Sequence, residues 1–227
     1  MRPELRRVGS LQSPIVVIDE FSGDSEAIAS LAEALEPFPP NRGNFYPGVR
    51  RTITETDANA FAYVRRTCQQ AAQFIAGAFG FDHFRLLSGS FSLVTTDPGQ
   101  LIEPQRFPHF DSTDPKYLAL LHYVRVPENS GTAFYRQRST AIEQVTDANH
   151  EAFVRAAQTE VKRLPDVGYI HGSNDFFEQI GAVEAVADRL VIYQGSLLHS
   201  GIIPPGMIFS ADPREGRLTA NLFVQGQ

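Results

Sequence analysis

From about residue 85 the chain breaks into short β-rich runs separated by turn formers, at 90–96, 117–126, 131–135, 189–194 and 217–224. Many short strands at irregular spacing predict a sandwich or jelly roll. The last run constrains the fold most. Arg217, Thr219, Asn221 and Phe223 share one face of it, and Leu218, Ala220, Leu222 and Val224 share the other. The continuous apolar face needs a cover. The opposite face then points into the sandwich, where an Arg, a Thr and an Asn are costly unless something polar is bound there.

The N-terminal third supplies the cover. Residues 14–19 (Pro-Ile-Val-Val-Ile-Asp) read as a short buried strand. A helix is expected over 24–36, capped by Asp24 or Ser25, with Ile28, Leu31, Ala32 and Leu35 at helical spacing and Pro37, Pro39 and Pro40 ending it. Residues 40–56 read as loop, with Pro47-Gly48 as a turn. A longer helix over 57–79 places Phe61, Val64, Cys68, Ala71, Phe74 and Ile75 on one face and ends at Gly80. The stretch 139–187 interrupts the strands, with helices expected over 147–163 and 175–187. The expectation is one α+β domain: a helical support over 1–84 and a core over 85–227 carrying an insert at 139–187.

Of the 227 residues, 42% are hydrophobic and 20% charged, an ordinary globular balance. A net charge of -6 disfavours nucleic acid or an anionic membrane as partner, because both demand a basic surface. The single cysteine, Cys68, excludes an internal disulfide framework and a multi-Cys zinc site. It fits a small core residue and a reducing compartment. No apolar run of signal-peptide length follows the polar, basic start Met1–Arg7, and no run reaches membrane-span length. A soluble cytoplasmic protein is expected.

Chemistry concentrates in Phe107-Pro108-His109-Phe110-Asp111. On an extended chain His109 and Asp111 point the same way and can take adjacent positions on one metal. His199, after a β-like run and before a turn, offers a third ligand. Two His and one carboxylate on one face of an octahedral ion is the ligand set of non-haem Fe(II) oxygenases. Taken singly, His109 is a loop imidazole and His199 a satisfied core histidine. Their order, and an Arg on the following strand, give the pattern its weight.

Over about 90–225 the chain resembles the Fe(II)/2-oxoglutarate-dependent dioxygenases, especially the prolyl-4-hydroxylase-like branch with its double-stranded β-helix (jelly-roll, cupin-like) core. The run Asp97-Pro98-Gly99-Gln100 before Pro108-His109-Phe110-Asp111 resembles the approach to that family's His-x-Asp. Leu120-Leu121-His122-Tyr123-Val124 and Gly131-Thr132-Ala133-Phe134 are similar to its next two strands. Arg189-Leu190-Val191-Ile192-Tyr193 followed by His199 is similar to its distal-His strand, and Arg217-Leu218-Thr219 to its Arg-x-Ser/Thr. The pattern also resembles a bacterial family of unknown function with the same motifs.

The resemblance implies Fe(II) held by His109, Asp111 and His199, with 2-oxoglutarate and O2 as co-substrates. It further implies that Arg217, Thr219 and Tyr123 contact the far carboxylate of 2-oxoglutarate, and it implies a hydroxylase of a peptide, amino-acid-like or small-molecule substrate. The chain departs from the pattern in three places. His199 and Arg217 are 18 residues apart, with the extra loop Ile202–Glu215 between them and Arg214 as a competing cation. Ser130 stands for the first Gly of a Gly-Gly turn. The 139–187 segment is long. That segment and Pro204-Pro205-Gly206 are candidate lids, and contacts within a homodimer would explain them equally well. Two rival readings are a cupin-like metal protein without oxygenase activity and a non-catalytic binding scaffold.

Elsewhere the plainer readings are preferred. Arg136 and Arg138 read as a solvated strand end, His122 as structural and His171 as a surface residue. Tyr46-Pro47-Gly48 with Arg50 and Arg51 is either a substrate-side loop or a plain turn.

Overall fold

A computed structural model describes residues 1–39, 46–163 and 168–227. Pro40 and the 40–45 part of the expected loop lie outside the described residues. The chain runs β1 (Arg2–Val8), β2 (Ser13–Asp19), α1 (Ser25–Glu33), β3 (Gly48–Thr52), α2 (Ala58–Phe79), β4 (Phe84–Val94), β5 (Tyr117–Arg125) and β6 (Gly131–Gln137). It continues through α3 (His150–Glu160), β7 (Phe177–Glu184), β8 (Arg189–Gln194), β9 (His199–Ile202) and β10 (Leu218–Gly226). An antiparallel seven-stranded sheet has the order β1-β2-β8-β5-β10-β4-β3, and a three-stranded sheet has the order β7-β6-β9. The two sheets form the double-stranded β-helix expected from the sequence. No helix among the described residues is long and apolar enough to cross a membrane.

The two faces of β10 part as their alternation requires. Leu218, Ala220, Leu222 and Val224 are buried in one core with Ile28, Ala32, Tyr63, Val64, Ala71 and Ile75, so α1 and α2 cover the large sheet. Asp24 caps α1 by accepting from the Ala27 N–H. Gly80 closes α2 at φ 74°, a left-handed conformation that glycine adopts without strain. A second core, with Tyr123, Phe134, Val191 and Leu197, fills the space between the sheets. A third packs α3 and its flanking segments on the outer face of the small sheet through Phe153, Tyr135, Phe177 and Val145.

Three local expectations are corrected. The polar start is an edge strand, β1, which pairs with β2 along its full length and keeps Arg2, Glu4 and Arg7 exposed. Charged edge strands carry little hydrophobic signal. Within the expected loop 40–56, residues 48–52 form β3, held by antiparallel pairing with β4. The expected helix at 175–187 is the strand β7, which pairs with β6 from Phe177 to Glu184. Long-range pairing overrides its local helical pattern. The helix expected over 147–163 is present as α3, followed by a short 3-10 turn at Val161–Arg163.

Arg136 is no solvated strand end. Its guanidinium pairs with Glu143 and Glu178, and Arg138 donates to the Asn174 carbonyl. The Glu143 carboxylate is 2% exposed and also accepts from Ser10 N–H, Ser10 Oγ and Leu11 N–H, which fastens the β1–β2 turn to the small sheet. Burial alone would raise its pKa, but the donors from Ser10, Arg136 and Leu11 hold it below the ordinary carboxylate value. Glu143→Ala strands these donors. It is expected to cost about 2–3 kcal/mol, read as a lower urea midpoint at unchanged m-value.

Candidate metal centre and its cavity

His109, Asp111 and His199 come together. One ligand atom from each lies within 4.8 Å of the others, and His199 Nε2 is 3.6 Å from Asp111 Oδ2. Main-chain bonds build the cluster. His109 and His199 exchange N–H···O=C bonds of 2.8 Å in both directions, and the Asp111 N–H donates to the Gly195 carbonyl at 2.7 Å. Phe134 flanks His199 on the other side in the β6–β9 register. Gly195 is required here, because a Cβ would meet the Tyr117 ring at 2.5 Å and the Asp111 Cβ at 3.2 Å.

The donor set suits a divalent ion. His199 Nδ1 lies 2.7 Å from the Leu197 carbonyl. That contact requires Nδ1 to carry the proton and frees the Nε2 lone pair for a metal. Burial, then the neighbouring His199 and Arg50, hold His109 well below its ordinary pKa, so its imidazole is neutral and able to ligate. Burial raises the pKa of Asp111, opposed by His199 and Arg50. His109 and Asp111 are still open to solvent on the cavity side.

The triad lies in a cavity of about 320 Å³ between the sheets, walled by Phe107, Phe110, Tyr169, Tyr193, Ile203 and Phe223 among others. Arg217, Thr219 and Asn221 line it, as the alternation of the last strand predicts. The pairing of β10 with β5 slips between Leu218 and Thr219, a local irregularity of the kind that re-aims side chains beside active sites. Arg217 is 6% exposed. One Nη donates to the Gly131 carbonyl at 3.3 Å, the guanidinium lies 5.6 Å from the Tyr123 ring centre, and Nε has no partner among the described residues. No carboxylate pairs with Arg217 there. Its competitor Arg214 is half exposed and paired with Asp212 and Glu36.

Tyr123 is placed one layer back. It is fully buried, and its hydroxyl shares a 2.7 Å hydrogen bond with Thr132, which itself lines the cavity. His122 is structural, bonded to Tyr63 and Asp188. His171 is exposed, and its Nε2 lies 2.7 Å from the Ile203 carbonyl, tying the insert to the 202–215 loop. At the mouth Tyr46, Val94, Leu101, Tyr169, Ile203, Met207 and Phe209 form a small apolar cluster. The loop that separates His199 from Arg217 therefore packs as part of the wall. Arg50, beside Tyr46 and Pro47, also lines the cavity. Only the pairing of β3 with β4 aims it there, so the sequence offered just its nearness to the Tyr46-Pro47-Gly48 turn.

Comparisons with known proteins agree with this fold. The fold is that of the Fe(II)/2-oxoglutarate-dependent oxygenases, the prolyl-4-hydroxylases included. The 2-oxoglutarate-dependent epimerase SnoN from nogalamycin biosynthesis is similar with a TM-score of 0.59 at 16% identity, over 94% of this chain and 79% of that one. HygX from Streptomyces hygroscopicus, a structure with nickel and 2-oxoglutarate bound, is similar with a TM-score of 0.54 at 15% identity, over 95% and 84%. A Pseudomonas putida prolyl-4-hydroxylase is similar with a TM-score of 0.51 at 14% identity, over 96% and 95%. No curated protein matches the sequence. Residues 1–224 match the model of the Family of unknown function (DUF6445), and the chain belongs to that family.

Proposed function

We propose that this protein is an Fe(II)- and 2-oxoglutarate-dependent dioxygenase, a hydroxylase of a small-molecule, amino-acid-like or peptide substrate. One observation carries the reading. A buried guanidinium, Arg217, lines the same cavity as a His-Asp-His cluster and has no carboxylate partner among the described residues. A buried charge is costly unless paired, so this site calls for an anion. A cupin-like metal protein without oxygenase activity has no need of that cation.

His109, Asp111 and His199 would hold the metal, and the Leu197 carbonyl fixes the His199 tautomer. The planar fork of Arg217 suits a bidentate contact to the far carboxylate of 2-oxoglutarate. The Thr219 hydroxyl shares its strand face, and Tyr123 braces that end through Thr132. When bound, Fe(II) and 2-oxoglutarate supply the activation of O2 that these side chains lack. The aromatic walls would flank a substrate held beside the triad.

The reading is tested by anaerobic titration of the metal-free protein with Fe(II) and then 2-oxoglutarate, following the weak visible charge-transfer band of an Fe(II)–keto acid chelate. The band is expected in the native protein. Arg217→Ala is expected to raise the 2-oxoglutarate needed by at least about 30-fold, the equivalent of about 2 kcal/mol. Bound metal without a band would favour the non-oxygenase reading, and absence of metal binding would favour the scaffold.

A further inference from the structure

The cavity holds a second arginine, Arg50, besides the Arg217 that the proposed function assigns to the co-substrate. Arg50 stands on β3 opposite Ser92 on β4. Its Nε donates to Ser92 Oγ at 3.1 Å, and its guanidinium lies over the Tyr46 ring at 4.6 Å. Neither terminal nitrogen has an acceptor among the described residues, and no carboxylate there is within ion-pair distance. The neighbouring Arg51, on the opposite face of the strand, is by contrast paired with Asp57. Ser92 Oγ also accepts from Asn221 Nδ2 at 3.0 Å, and Asn221 Nδ2 lies 3.1 Å from Thr219 Oγ1. One polar strip therefore crosses β3, β4 and β10, with Arg50 at one end and Arg217 beyond Thr219 at the other.

Resting on the function proposed above, we infer that Arg50 recognises the substrate and that the substrate is a compact monocarboxylate without a free amino group. Charge decides the class. The ionisable groups lining the cavity, tyrosines and the two metal-ligand histidines aside, are Arg50, Arg217 and Asp111. A divalent metal and dianionic 2-oxoglutarate leave one positive charge over, and Arg50 is the cation without a counter-ion. A carboxylate cancels it and matches the guanidinium fork. A phosphate dianion would leave an excess negative charge. The ammonium of a free amino acid would find no acid among the described lining residues except the metal ligand Asp111. A cavity of about 320 Å³ is at the small end for ligand sites, which favours a small body against Phe110 and Tyr169.

The test uses the full chain loaded with Ni(II) and 2-oxoglutarate. N-acetyl amino acids are titrated by calorimetry as free acids and as the matching carboxamides. Acids are expected to bind at least about tenfold tighter than their carboxamides, a difference of about 1.4 kcal/mol, and Arg50→Gln is expected to erase that preference. The acid–amide comparison on the native chain needs no variant. A loaded protein that ignores the acids, or binds both forms alike, overturns the assignment of Arg50. So does an Arg50→Gln variant that loses 2-oxoglutarate instead. Failure of the native chain to take up Ni(II) and 2-oxoglutarate overturns the underlying reading, and this inference with it.

Discussion

Replacing His199 by alanine is expected to lower the affinity for Fe(II) by more than about 100-fold. Loss of a partner one shell out from a ligand already costs about 10–100-fold, and His199 is itself one of three ligand candidates. The fold should survive. His199 is fixed by main-chain bonds to His109 and by pairing with Phe134, and alanine keeps both. Equilibrium dialysis against Fe(II), with circular dichroism as the control for folding, separates the two effects. Stoichiometric tight binding by the variant would remove His199 from the ligand set.

Asp188→Ala is expected to be the most destabilising single change away from the cavity, at about 3–5 kcal/mol. Asp188 Oδ1 accepts from Ser22 N–H, Ser22 Oγ and His122 Nε2, and Oδ2 accepts from Gly23 N–H. His122 in turn meets the Tyr63 hydroxyl at 2.8 Å, so the network joins the β2–α1 turn, the large sheet and α2. Removing the carboxylate leaves a fully buried imidazole without its partner. For a chain of this length the loss corresponds to a melting temperature lower by roughly 6–20 °C.

The acid dependence of that loss identifies its origin. Burial works to raise the Asp188 pKa, but the bonds from His122, Ser22 and Gly23 outweigh it and hold the group well below the ordinary value. A carboxylate depressed in the folded state contributes fully above its unfolded pKa of about 3.9, and the contribution fades as pH falls towards the folded value. The gap in stability between native protein and Asp188→Ala should therefore narrow below about pH 4. A gap that stays constant on acidification would trace the loss to packing instead of charge.

The parts of the site that could be read from sequence lie on locally regular chain. His109 and Asp111 are two residues apart on an extended segment, and Arg217, Thr219, Asn221 and Phe223 alternate on one strand, so a period of two was enough to group each set. The apolar face of β10 and the amphipathic helices that cover it were legible for the same reason. Edge strands and long-range pairings were not. β1 carries Arg at three of its seven positions and β3 at two of its five, and β7 is specified by its register with β6, which no local pattern encodes. Arg50 was legible only as part of a substrate-side loop or a plain turn, and its aim into the cavity was hidden with β3. The withdrawal of the Tyr123 hydroxyl behind Thr132 depends on how two neighbouring strands pack, a fact of tertiary structure alone.

β3 is, like β1, an edge strand of the large sheet among the described residues, whereas β10 is held between β4 and β5 and His199 between His109 and Phe134. Descendants of such a scaffold can exchange the side chain at position 50, or rewrite the loops around the mouth, while the interior registers stay intact. New substrates are then acquired by edits at the rim, with the reactive centre inherited unchanged.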